Sequence, residues 1–193
     1  MRLAVGMAIL TSGLLSWAQP RILPPGYHVT ACLKPPARTW TMIRAEYLAS
    51  QIYAGIGLTL DWAKDQRSCR DDTAIRITLQ DSTSPGELLG ALAYALPQEG
   101  SHVVVFYDRI QKAIESPDVP ILLAHVLVHE IAHLLEGFKH HSESGMMKAY
   151  WTGEDYRRMA IRPLPFGDGD LWLIRHGLEM PETAHGFVHR LSP

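Results

Sequence analysis

Residues 125–151 read HVLVHEIAHLLEGFKHHSESGMMKAYW, which places five histidines and three glutamates in and just after a run of Val, Leu and Ile. Polar groups that are costly to bury need partners, and imidazoles beside carboxylates are the side chains that hold a metal ion. His129-Glu130-Ile131-Ala132-His133 has the form HExxH. On a helix, positions i and i+4 lie one turn apart on the same face, so both imidazoles can reach one Zn²⁺ while the neighbouring carboxylate stands at the reacting water. Zinc supplies a Lewis acid and lowers the pKa of its water to about 7. Glu130 is then the expected general base, taking a proton from that water and later delivering it to the amine leaving group. Without a cation, Glu130 on so apolar a helix would be an unpaired carboxylate in a low-dielectric site.

A catalytic zinc needs a third protein ligand and one open position. Gly137 can turn the chain back, and that turn offers the imidazole of His140 or of His141 equally well. Glu136 and Glu143 are carboxylates in reach of the same region, but at a helix end and in a turn they read as solvated. Glu154 and Asp155 lie in TGED, which reads as an N-cap followed by an acidic first turn rather than as a ligand from a later helix. His125 lies a further helical turn, about 6 Å, along the axis from His129, and is expected to be a hydrogen-bonded core or cleft histidine. His185 and His189, set among Gly, Thr and Pro, read as surface residues.

The stretch resembles the metzincin group of zinc peptidases, whose pattern is HExxHxxGxxH followed by a methionine turn. Here Gly137 comes one residue late, and His140 and His141 come one and two residues late. The register is more similar to that of small secreted bacterial zincin-like proteins, approximately HExxHLLxGxxxHSxxGxM with a tryptophan following. Gly137, His141, Ser142, Gly145, Met147 and Trp151 match it, with weaker echoes in GLTLDW and VVVFYDRI. This resemblance implies one Zn²⁺ per chain held by His129, His133 and His141, with His140 as the alternative third ligand, and Met147 as the turn methionine. Met146 by itself reads as core filler. Some metzincins use a tyrosine near the position of Tyr150 to donate to the oxyanion, though its offset from Met147 differs here. The implied activity is that of a zinc metalloendopeptidase acting on a peptide or protein laid in a cleft above the helix, beside an edge strand around residues 91–96. The alternative is a non-catalytic, zinc-stabilised binding module on the same scaffold, its metal closed by both His140 and His141.

The elements that must position these groups can be read from the rest of the chain. With 193 residues, one domain with a substantial core is expected. Residues 1–18 have a charged start, an apolar run too short to span a bilayer and a small-residue site after Ala18, the pattern of a signal peptide. Residues 19–193 are then a single zincin-like catalytic domain, secreted or periplasmic, with no membrane span after cleavage and expected to be a monomer. In an oxidising compartment, Cys32 and Cys69 are expected to pair. A net charge of −2 with no Lys/Arg run excludes nucleic acid as a partner.

A short strand is predicted at 27–33. A helix from Trp40 follows, capped by Thr39 or Thr41 and ended by Gly55 and Gly57, with Ile43, Tyr47 and Ala54 recurring along one face around Ser50. Next come a strand with Leu58, Leu60 and Trp62 on one face, and another with Ile75, Ile77 and Leu79 inward and Arg76 and Thr78 outward. An edge strand within 88–96 and a strand over 102–110 covered on both faces complete the sheet. The main helix spans 121–136 after Pro117 and Pro120, with Gly137 at C′. The fold class is α/β (α+β): a mixed twisted sheet packed on the active-site helix, a methionine turn and short C-terminal helices.

Overall fold

The computed structural model describes residues 23, 26–34, 39–63, 69, 74–84, 86, 88, 90–97 and 101–180, and the backbone of 188–190. The expected signal peptide and His185 lie outside the described residues.

Strand β1 (Tyr27–Lys34) leads into helix α1 (Trp40–Gly55) and strand β2 (Thr59–Trp62). Strands β3 (Ile75–Gln80), β4 (Ala93–Ala95) and β5 (His102–Phe106) follow, then helix α2 (Tyr107–Ala113), a 3₁₀ turn (Ser116–Asp118) and the long helix α3 (Val119–Glu136). Helices α4 (Gly153–Ile161) and α5 (Asp168–Glu179) and strand β6 (Val188–Arg190) complete the described elements. The sheet order is β2-β1-β3-β5-β4. The first four strands run parallel, β4 is antiparallel to β5 at the edge, and β6 lies antiparallel beside the start of β1. This is the mixed sheet expected from the order of elements.

Side-chain alternation explains β3, where Ile75, Ile77 and Leu79 are buried and Arg76 and Thr78 half-buried. In β5, Val103, Val104, Val105 and Phe106 are all buried, as in a strand covered on both faces. That strand ends at Phe106 rather than running to Ile110. From Tyr107 the polar residues fall at helical spacing: Asp108 accepts from Thr83 Oγ1 at 2.6 Å and from Lys112 Nζ, one turn on, at 3.1 Å, while Ile110 alone of α2 is buried. The predicted edge strand is real but short, three residues at β4.

Helix α1 starts where expected, with Thr39 Oγ1 accepting from Met42 N–H. Its expected face is reversed. Trp40, Ile43 and Tyr47 are 49–69% exposed, and the buried stripe is Met42, Ala45, Glu46, Ala49, Ile52 and Tyr53. Two apolar stripes compete on this helix. The buried one carries the small residues Ala45 and Ala49 and also Tyr53, whose Oη–H donates to the Val128 carbonyl of α3 at 2.8 Å. Helix α1 then covers β2 while α3 covers β4 and β5.

Helix α3 is long and apolar enough to cross a membrane by composition, but nearly all of it is buried among the other elements. It ends at Gly137, in the left-handed region with φ 79°, whose N–H donates to the His133 carbonyl. Cys32 of β1 and Cys69 form the disulfide, Cα atoms 5.6 Å apart, tying β1 to the segment after β2.

Candidate metal centre

His129 and His133 project from successive turns of α3 with their Nε2 atoms 3.0 Å apart. After the Gly137 turn, His141 joins them: one nitrogen from each of the three rings lies within 4.8 Å of the others. Its ring stacks against His129 with centroids 5.4 Å apart and meets His133 edge-on at 5.0 Å. Among the described residues this is the one group of three or more His, Cys, Asp or Glu side chains so converged.

The local protonation follows from the hydrogen bonds. His129 Nδ1 lies 2.9 Å from the Met146 carbonyl. A carbonyl only accepts, so Nδ1 carries the proton and Nε2 presents a bare lone pair. Burial holds His129 down to about 4, with the Met146 bond opposing, and the same desolvation, reinforced by His129, drives His133 far below the usual imidazole range. Both rings are therefore neutral near pH 7, the form that ligates metal. His133 Nδ1 is buried without a hydrogen-bond partner among the described residues. His133 Nε2 lies 3.0 Å from the bare Nε2 of His129, so the pair needs either a shared proton or a cation between them. With a third ring beside them the site fits a divalent cation, and three nitrogen donors suit zinc.

Glu130 is buried and lines the same cleft. Desolvation pushes its carboxyl up to about 8, while Lys139 and the backbone N–H of Ala95 pull it back toward the ionised form. Ala95 belongs to β4, so the sheet edge hydrogen-bonds to the glutamate. The cleft encloses about 480 Å³, within the ordinary range for ligand sites. Its walls are residues 90–95 on one side and Lys148, Ala149, Tyr150, Trp151 and Tyr156 on the other. Trp151 meets His129 edge-on at 5.4 Å and donates Nε1–H to the Gly145 carbonyl. Tyr150 stands at the mouth, 76% exposed.

The turn beneath the histidines is tightly tied. Ser142 N–H donates to the Met147 carbonyl at 2.8 Å, and Met146 N–H donates to the Pro165 carbonyl at 2.8 Å. Gly145 has φ +81°, and a Cβ there would overlap the Pro165 carbonyl oxygen. Only glycine fits that conformation and that approach. Met146 and Met147 are both fully buried.

The remaining candidates separate clearly. His140 turns away from the three-ring cluster, with Nε2 3.4 Å from Ser142 Oγ and 3.7 Å from Asp170 Oδ1. His125 is satisfied at both nitrogens: Nδ1 donates to the Ile121 carbonyl at 2.8 Å, and Nε2 accepts from Leu164 N–H at 3.2 Å. Asp155 serves the capping box of α4 with Thr152 and pairs with Lys148 at 2.6 Å, while Glu154 pairs with Arg157 in solvent. Glu143 is exposed. Glu136 overturns the expectation of solvation: it is 3% exposed and neither carboxylate oxygen has a partner among the described residues. Helix α5 covers this end of α3, with Gly177 so close that a Cβ would overlap the Leu135 carbonyl. For His189 the structure describes the backbone, in β6 opposite His28.

Three contributors were not legible in the sequence. The Met146 carbonyl and the Ala95 N–H act through backbone, which no side-chain pattern reports. Asp170, wholly buried on α5, accepts from Ser142 Oγ–H and from Gly167 N–H; in the sequence it is one acid of an ordinary acidic helix start.

Neither a protein-family model nor the sequence of a curated protein matches the chain. Myroilysin aligns with a TM-score of 0.36 and 13% identity over 60% of this chain and 50% of that one, too low to establish a shared fold. The crystal structure of archaemetzincin from Methanopyrus kandleri superposes with a TM-score of 0.51 at 17% identity, covering 79% of this chain and 97% of that one. The mixed sheet, the long helix carrying HExxH and the turn that follows thus form a zincin-like fold.

Proposed function

We propose that this chain is a secreted or periplasmic zinc-dependent peptidase, in which His129, His133 and His141 hold one zinc ion and Glu130 is the general base. The reading also places it with the small secreted bacterial zincin-like proteins whose motif register residues 129–151 match. The observation that carries it is the convergence of three imidazoles beside a buried glutamate in an open cleft. The signal-like start of the sequence and the Cys32–Cys69 disulfide support an extracytoplasmic setting.

Zinc in this site supplies a Lewis acid for the scissile carbonyl and for the attacking water. The chain supplies the rest. Glu130 takes the proton of the water and passes it to the departing amine, and Lys139 and the Ala95 N–H favour the ionised carboxylate that this requires. The Met146 carbonyl fixes the tautomer and direction of His129. Strand β4, at the sheet edge, lines the cleft, and an extended peptide adds to it as a further strand. Trp151 and Tyr156 close the opposite wall against water.

The test is Glu130→Gln. The variant is expected to bind one zinc per chain, as measured by metal analysis, and to lose peptide-library cleavage by at least about 100-fold. Undiminished cleavage would remove Glu130 as the base. A wild type that binds zinc and cleaves nothing in the library would favour the binding module.

A further inference from the structure

His140 and His141 are adjacent, and both stand within electrostatic range of His133. One faces the three-ring cluster and the other does not. Neighbouring residues on a stretched chain point to opposite sides, and alternate residues to the same side. His140 and Ser142 both face α5, where they meet Asp170, while His141 faces α3. Both contacts on the α5 side end on Asp170. It is fully buried, and the cap of α5 holds it, Gly167 N–H donating to Oδ2 at 2.7 Å. Its other oxygen accepts the Ser142 hydroxyl and lies beside His140 Nε2. Ser142 is tied in turn by its N–H to Met147 O and by a bridge to Lys148.

We infer that Asp170, through Ser142, is a positioning residue that selects His141 as the third metal ligand and holds His140 out of the centre, so that one coordination position stays open. This rests on the metal reading above. A metal with four imidazoles is a closed, structural site, whereas a hydrolytic one needs a free position. Two adjacent histidines after a glycine turn create that hazard, and the buried carboxylate on a separate helix removes it. With the carboxylate gone, His140 has no anchor and is free to become a fourth ligand.

The probe is Co²⁺ bound to the full mature chain, read by the number of paramagnetically shifted, exchangeable imidazole N–H resonances and by visible absorption. Wild type is expected to show three such protons. Asp170→Ala is expected to show four, with an altered absorption band and peptide cleavage reduced by about 10- to 100-fold. The double variant Asp170→Ala/His140→Asn is expected to return to three protons and to regain turnover, which a general loss of folding cannot do. Ser142→Ala, which keeps the α5 cap intact, is expected to shift the same way as Asp170→Ala and guards against misfolding of the latter. Three protons and the wild-type band in both Asp170→Ala and Ser142→Ala would overturn the inference, as would a double variant that stays altered. Wild type that takes up no Co²⁺ overturns the metal reading itself, and this inference with it; three protons in every variant overturn this inference alone.

Discussion

At the scale of single residues, the unusual groups are carboxylates buried on or beside one helix. Glu130 has an N–H donor and a nearby lysine, and Asp170 has two donors. Glu136 has neither. Burial, with Asp170 adding repulsion, raises it to about 8. Its folded-state pKa therefore lies above the unfolded value, so the folded chain keeps a proton that the unfolded chain releases. The resulting stability is fully present below about pH 4.5 and is lost as pH rises through about 8, up to about 5 kcal/mol in all. Glu136→Gln, neutral at every pH, is expected to be about as stable as wild type near pH 5 and clearly more stable at pH 9. Urea midpoints at the two pH values check this, and parallel pH dependence in the two proteins would show that Glu136 is ionised when folded. HExxH was legible from residue types because its function depends on side chains one helical turn apart. Glu136 was misread because the helix that covers it lies more than thirty residues away.

At the scale of elements, the turn between α3 and α4 carries the tightest requirement. Gly145 needs a left-handed backbone and also sits against the Pro165 carbonyl. Gly86 has a similar φ of +86° but nothing within 4 Å of its Cβ position among the described residues. Gly86→Ala is thus expected to cost only the conformational penalty, about 1–2 kcal/mol. Gly145→Ala adds the steric clash and should cost more, about 3 kcal/mol or above. It should also weaken metal binding, because the Met146 carbonyl that directs His129 hangs on the same turn. Thermal melts of both variants, with zinc titration of the second, test the pair; equal costs would mean that the Pro165 segment yields. The same scale explains where the periodicity misled. Helix α1 has two candidate stripes, and the one with the larger residues, Trp40, Ile43 and Tyr47, is the exposed one, while the stripe with Ala45, Ala49 and Tyr53, tied to α3 through Val128, is buried.

At the scale of the molecule, the disulfide and the three-histidine cluster lie on different elements. Cys32 and Cys69 close a loop over a sequence separation of 37 residues, which by chain entropy is worth about 2–4 kcal/mol. Replacing both by alanine is expected to lower the denaturation free energy by that amount while leaving the zinc content of the folded protein unchanged, since β1 contributes no group to the cluster. Metal loss in parallel with the stability loss would show instead that sheet and site are coupled. The sequence by itself determined the alternation of β3, the buried run of β5, the main helix with its glycine stop, and the pairing of His129 with His133. Each of these is local, written in residue types two to four positions apart. The residue pattern left His140 and His141 open, with only the resemblance favouring His141; the tertiary structure is what sets His141 beside that pair, buries Glu136, and brings the N–H of β4 to Glu130. Those outcomes depend on α5 and the sheet edge arriving from distant parts of the chain, and on backbone groups that every residue carries alike.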